Sequence, residues 1–230
     1  MYGFVKEKSE NTHISSCEVL EIENKYNINF PTMLKEYYLQ HNGDKIRLCI
    51  FTVDEEEFGV AKIVELKYGN CSFEKIVKND SSIDLVIVGK KGWFYNDTLT
   101  KVQELNIANR VIFTGFVTTE EKFIILSGAY AFIYPSIYEG FGLPVLESIT
   151  YNIPTVTSNI SSLPEVVGQA AILINPNNID SIYNALKEVL YNEDTRLVLA
   201  ERCSKQAKKF SWEITAKMTE NVYDKYQVVK

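Results

Sequence analysis

Ala131-Phe132-Ile133-Tyr134-Pro135-Ser136-Ile137-Tyr138-Glu139-Gly140-Phe141-Gly142-Leu143-Pro144-Val145-Leu146-Glu147 contains a strand, a tight loop and the start of a helix in one uninterrupted run. Ala131 to Tyr134 is a short apolar run closed by Pro135, which reads as a buried strand ending at its carboxyl side. Pro144 is suited to a first helical turn, where its missing N–H costs nothing. Between them the Gly140-Phe141-Gly142 bend aims free backbone N–H groups and the positive end of a helix dipole at one point. Such a point suits an anion of the diphosphate kind. Glu139 and Glu147, eight positions apart, stand on either side of it and are able to accept hydrogen bonds from sugar hydroxyls. Glycine loops before helices are common, so the residues alone define a phosphate-sugar chemistry rather than a particular ligand.

The chain on both sides of this run alternates strand and helix. Leu85 to Val88 is wholly apolar, as expected for a strand covered on both faces of a parallel sheet. A helix is predicted near Asp97 to Ile107 and a strand over Val111 to Thr114. Thr118-Thr119-Glu120-Glu121 has capping-box spacing and opens the next helix, and Ser162 with Glu165 repeats that spacing further on. Strands over Thr155–Thr157 and Ile172–Ile174 follow, then a helix whose apolar face is Ile182, Ala185, Leu186, Val189 and Leu190. Helices near Asp194–Lys208 and Trp212–Tyr226 complete the pattern. The reading is α/β: a doubly wound, Rossmann-like parallel sheet over residues 83–230, with ligands at the carboxyl ends of the strands.

Residues 1–80 break the alternation and read as a small, incomplete α+β segment. Glu18 to Tyr26 and Met33 to Gln40 suggest short helices, Asn42-Gly43 a turn, and Ile46, Leu48 and Ile50 a half-buried strand. The first strand of the 83–230 unit is missing from its expected place. Ile46 to Val53 is one candidate to fill that gap, pairing between Leu85–Val88 and Ala131–Tyr134.

Composition narrows the function classes. With 24 basic against 30 acidic residues the chain lacks the basic excess of a nucleic-acid binder. Cys17, Cys49, Cys71 and Cys203 show no CxxC spacing, which argues against a zinc site or a disulfide framework. Met1 to Ser16 lacks the apolar core of a secretory signal. No apolar run reaches the ~18–20 residues that span a bilayer. These features lead us to expect a cytoplasmic protein without a transmembrane segment.

Leu85-Val86-Ile87-Val88-Gly89, Arg110 through Val117, Tyr134 through Pro144 and Ser158 through Gly168 occur in an order that resembles the donor-binding half of the retaining family 4, or group 1, glycosyltransferases of GT-B fold. The resemblance covers roughly residues 83–230. It implies transfer of a hexose from a nucleoside-diphosphate sugar with retention, and no metal cofactor, since no Asp-X-Asp pair is present. It implies a catalytic role for Glu139 beside the transferred hexose and a ribose contact for Glu147. Backbone contacts to diphosphate and sugar would come from Gly140, Phe141, Gly142 and Leu143, and a main-chain contact near the base from Val117. Each carboxylate also has a plainer reading: Glu139 as a solvated loop acid, Glu147 as a first-turn complement to the helix dipole. Phe141 equally suits core packing. The basic loop that supplies an Arg and a Lys in that family has no counterpart; Lys90 and Lys91 lie at a strand end and read as solvated lysines. Ser148 and Asn152 replace the usual Ala and Gly, with Asn152 able to hold the left-handed helix stop.

Residues 17–78 resemble a second family, the SUKH superfamily of small binding modules that includes immunity proteins. The resemblance rests on Glu23 through Pro31, Leu34 through Tyr38, His41-Asn42-Gly43 and Glu57 through Gly69. Two alternatives to a transferase therefore stand: a catalytically inactive fusion or remnant, and a SUKH-type protein-binding module. The expected partners are a nucleotide-sugar donor and a separate acceptor-binding domain or protein. The stripe Ile214, Met218 and Val222 on the last helix leaves room for a homo-oligomer.

Overall fold

The computed structural model describes Leu20, Asn24, residues 49–51, Ile76, Asp80, residues 82–89 and residues 95–226. Six strands form one parallel sheet: β1 Cys49–Phe51, β2 Leu85–Val88, β3 Val111–Gly115, β4 Phe132–Tyr134, β5 Thr155–Ser158 and β6 Ala171–Ile174. Their spatial order is β3-β2-β1-β4-β5-β6, the doubly wound order in which direction reverses between the first and fourth strands. The helices are α1 Tyr95–Glu104, α2 Thr119–Gly128, α3 Leu143–Thr150, α4 Leu163–Val167, α5 Ile179–Tyr191, α6 Glu193–Ala207 and α7 Trp212–Tyr226.

The sheet is not missing its first strand. Cys49–Phe51 lies between β2 and β4, with Ile50 opposite Ile87 on one side and Ile133 on the other. It therefore occupies the position left open for Ile46 to Val53, and an edge that would have exposed unpaired backbone is filled. Ile76, ahead of residue 83, is buried in the same core as Ile83 and Leu85. The helix expected at 18–26 is represented by Leu20 and Asn24, both helical. The helix at 33–40, the Asn42-Gly43 turn, most of the SUKH-like pattern, and Lys90 and Lys91 lie outside the described residues.

Strand residues alternate between two cores. Leu85, Ile87, Ala131, Ile133, Val156 and Ile174 face α5, whose Ile182, Ala185, Leu186, Val189 and Leu190 form one buried stripe. Val86, Val88, Ile112, Phe132 and Tyr134 face the other way, onto Ile125 and Leu126 of α2, Val145 of α3 and Leu163 and Val167 of α4. Both faces are covered, which is why these strands are apolar without alternation. Asn152 ends α3 with φ 58°, in the left-handed region. Ser148 replaces an alanine without an orphaned hydroxyl, since its Oγ reaches Val145 O at 2.8 Å and Thr155 Oγ1 at 2.9 Å. By contrast α7 buries no residue, and Met218 and Val222 stand more than half exposed.

At the amino ends of β2 and β3, opposite the glycine bend, Arg110 binds Asp84 through Nε and the Ile83 carbonyl through Nη2. The pair is largely covered and ties the start of one strand to the start of the next. Arg110→Met removes that charge and a backbone contact, and stability should fall by about 2–3 kcal/mol. A urea midpoint unchanged within error would show that the pair contributes nothing.

Candidate functional site

The glycine bend sits at the carboxyl end of β4, next to the reversal between β1 and β4. Ligands in open α/β sheets bind at that crevice because diverging loops leave it unfilled. Gly142 caps α3 with φ 100° and ψ 48°, a conformation that L side chains resist. Its carbonyl accepts from Val145 N at 3.0 Å and Leu146 N at 3.1 Å. Pro144 has no N–H, and the N–H groups of Phe141, Gly142 and Leu143 find no acceptor among the described residues. Glycine brings no capping oxygen of its own, so these donors stay uncapped at the positive end of the helix.

The loop after β5 holds the bend in shape. Glu139 N donates to Ser161 Oγ at 3.1 Å, while Ser162 Oγ donates to the carbonyls of Glu139 at 3.1 Å and Phe141 at 2.9 Å. Ser162 is therefore not the capping residue that its spacing to Glu165 suggested. Its backbone is already helical, at φ −77° and ψ −17°, and its side chain makes no cap bond to α4. Ser162 thus holds two carbonyls of the bend, while the Phe141 to Leu143 amides stay without an acceptor among the described residues. Beneath the bend Leu163 is fully buried against Gly142.

The two carboxylates have different partners. Glu139, half-buried, accepts from the Tyr134 hydroxyl at 2.7 Å. Burial, and then the bond to Glu139, push the Tyr134 phenol far above its ordinary range, so it stays protonated and donating. Glu147 accepts from Lys122 Nζ at 2.6 Å, with Lys122 in the first turn of α2. Glu147 itself lies beyond the first turn of α3, which contains no acid, so the dipole-complement reading fails on position. Phe141 is 40% exposed and its ring stands edge-on to Phe210 at 5.8 Å. Gly140 and Leu143 are exposed at the mouth of the bend. Val117 is half-buried in the β3–α2 loop, packed against the core around Val86, Val88 and Ile112.

Lys122 and the two serines were missed in the sequence. Lys122 carries no motif, and Ser162 presented a local cap pattern with Glu165 that concealed a contact across more than twenty residues.

The family model for glycosyl transferases group 1 matches residues 71–210, well over half of the chain. The chain belongs to that family. Among curated relatives, O-antigen chain mannosyltransferase B of Escherichia coli is 39% identical over 140 residues, covering 60% of this chain and 36% of that protein. O-antigen chain mannosyltransferase RfbU of Salmonella typhimurium is 34% identical over 159 residues, covering 64% of this chain and 45% of the relative. The chain thus spans less than half the length of these two proteins. Among solved structures, Anabaena Alr3699/HepE in complex with UDP-glucose matches with a TM-score of 0.68 at 15% identity, over 85% of this chain and 54% of that one. Sucrose-phosphate synthase of Thermosynechococcus elongatus matches with a TM-score of 0.66 at 19% identity, over 87% and 50%. At such identities the structural likeness establishes the fold alone, an α/β Rossmann-like domain. No helix among the described residues is long and apolar enough to cross a membrane.

Proposed function

We propose that this chain is the donor-binding half of a retaining glycosyltransferase that takes a nucleoside-diphosphate hexose. The observation that carries the reading is the set of amides at Phe141, Gly142 and Leu143 with no acceptor among the described residues, in a bend between Glu139 and Glu147 in the sequence. The diphosphate rests on those amides and on the α3 dipole. Glu139, held by Tyr134, lies beside the hexose and offsets positive charge as the glycosidic bond breaks. Glu147 accepts from the ribose. Val117 lies near the base through its main chain. The acceptor attacks on the face the nucleotide leaves, and the leaving diphosphate takes its proton. No metal is needed, because amides and the helix end carry the anion. An acceptor-binding unit, on this protein or another, completes the reaction. Two relatives named for mannosyl transfer favour a mannosyl donor.

Calorimetry with UDP, GDP and ADP tests the reading directly. At least one should bind, and Glu147→Ala should weaken it by about tenfold or more, since a hydrogen bond to a charged group is lost. No binding by any of the three would end the proposal.

A further inference from the structure

We propose that Lys122 is a specificity-determining residue: with Glu147 it reads the vicinal hydroxyls of the donor ribose. The inference rests on the donor-binding reading above. Lys122 is the fourth residue of α2, whose start is fixed by a complete capping box. Thr118 N donates to Glu121 Oε2 at 2.7 Å, and Glu121 N donates to Thr118 Oγ1 at 3.2 Å. The Lys122 backbone is thus rigidly placed beside the carboxyl end of β3, on the same side of the sheet as α3. Its ammonium also lies 5.4 Å from the Phe123 ring centroid, and that ring packs on Tyr151 at 5.2 Å.

The ion pair leaves capacity unused. Lys122 donates one of three N–H bonds to Glu147 Oε1, and the other two, with Glu147 Oε2, have no hydrogen-bond partner among the described residues. Both side chains are about a quarter exposed, so a ligand can reach them. An open pair of this kind contributes little to folding. What it offers is a donor and an acceptor side by side. Each hydroxyl of a cis diol both donates and accepts, so one hydroxyl gives its hydrogen to Glu147 while its neighbour accepts from Lys122. A 2′- or 3′-deoxy nucleotide leaves one of these charged groups facing nothing.

The test is calorimetry on the full chain with the tightest-binding nucleoside diphosphate and its 2′-deoxy and 3′-deoxy forms, using wild type, Lys122→Met and Lys122→Arg. Wild type should prefer the ribonucleotide over at least one deoxy form by about tenfold or more. Lys122→Met should reduce that preference to under about threefold, and Lys122→Arg, which keeps a donor, should restore much of it. An unchanged ratio in Lys122→Met, or equal weakening of ribo and deoxy forms, overturns the proposal, because a phosphate contact or a purely structural role behaves that way. Should Lys122→Met fail to fold, wild-type discrimination below threefold, or its loss in Lys122→Arg, overturns it equally. Failure of wild type to bind any nucleotide instead defeats the donor-site reading itself.

Discussion

Replacing Gly142 by alanine is expected to lower nucleotide affinity by at least about a hundredfold, through loss of two or more charge-assisted bonds. The same change should cost about 2–4 kcal/mol of stability. Two independent causes act at this position. The backbone sits at φ 100°, where an L side chain is strained. A Cβ there would also stand 2.6 Å from Leu163 Cδ2. Leu163 is fully buried and has no room to swing away. The bend must therefore open, turning the amides of Phe141 and Leu143 away from their common focus. Gly140→Ala is the matched control: a Cβ there meets nothing within 4 Å. It should change stability by less than about 1 kcal/mol. Urea unfolding and calorimetry on both variants decide the matter. Equal nucleotide binding by Gly142→Ala and wild type would show that the bend is not the anion site.

Phe132→Ala should be the most damaging single truncation for the fold, at about 3–5 kcal/mol. That corresponds to a fall of roughly 10 °C in Tm for a chain of this size. Phe132 is the largest fully buried side chain in the described core. It lies in β4, paired to Cys49 on one side and Thr155 on the other, with its ring 6.0 Å from that of Tyr134. Truncation opens a cavity beneath α2 and α3 that rigid strands on both sides cannot collapse. The chemistry of the bend is untouched, so folded protein should keep nucleotide affinity within a few-fold. A Tm loss below about 3 °C would mean that the sheet relaxes around the gap more readily than its packing implies. The two variants separate site from scaffold: Gly142→Ala removes binding, Phe132→Ala removes stability.

Much of this was readable along the chain because it is local. The capping box at Thr118 and Glu121 spans one helical turn, and its two bonds form as the spacing predicts. Asn152 stops α3 in the left-handed region for reasons contained in its own backbone. The strands from Leu85 to Ile174 announced themselves because burial on both faces removes polar residues from the run. Ser162 is the opposite case. Its spacing to Glu165 is that of a cap, yet its hydroxyl is taken by carbonyls of Glu139 and Phe141, which belong to a different loop. No window of a few residues contains both partners.

From the order of residues alone came the parallel α/β architecture, the family likeness, and the glycine bend between two acids, since each depends on neighbours within a turn or a strand. Only the folded chain decided that Cys49–Phe51 is a central strand, that Ser161 and Ser162 hold the bend, and that Tyr134 and Lys122 bind its acids. Pairing energy in a sheet and hydrogen bonds between loops act across space, between segments whose separation along the chain carries no periodic mark.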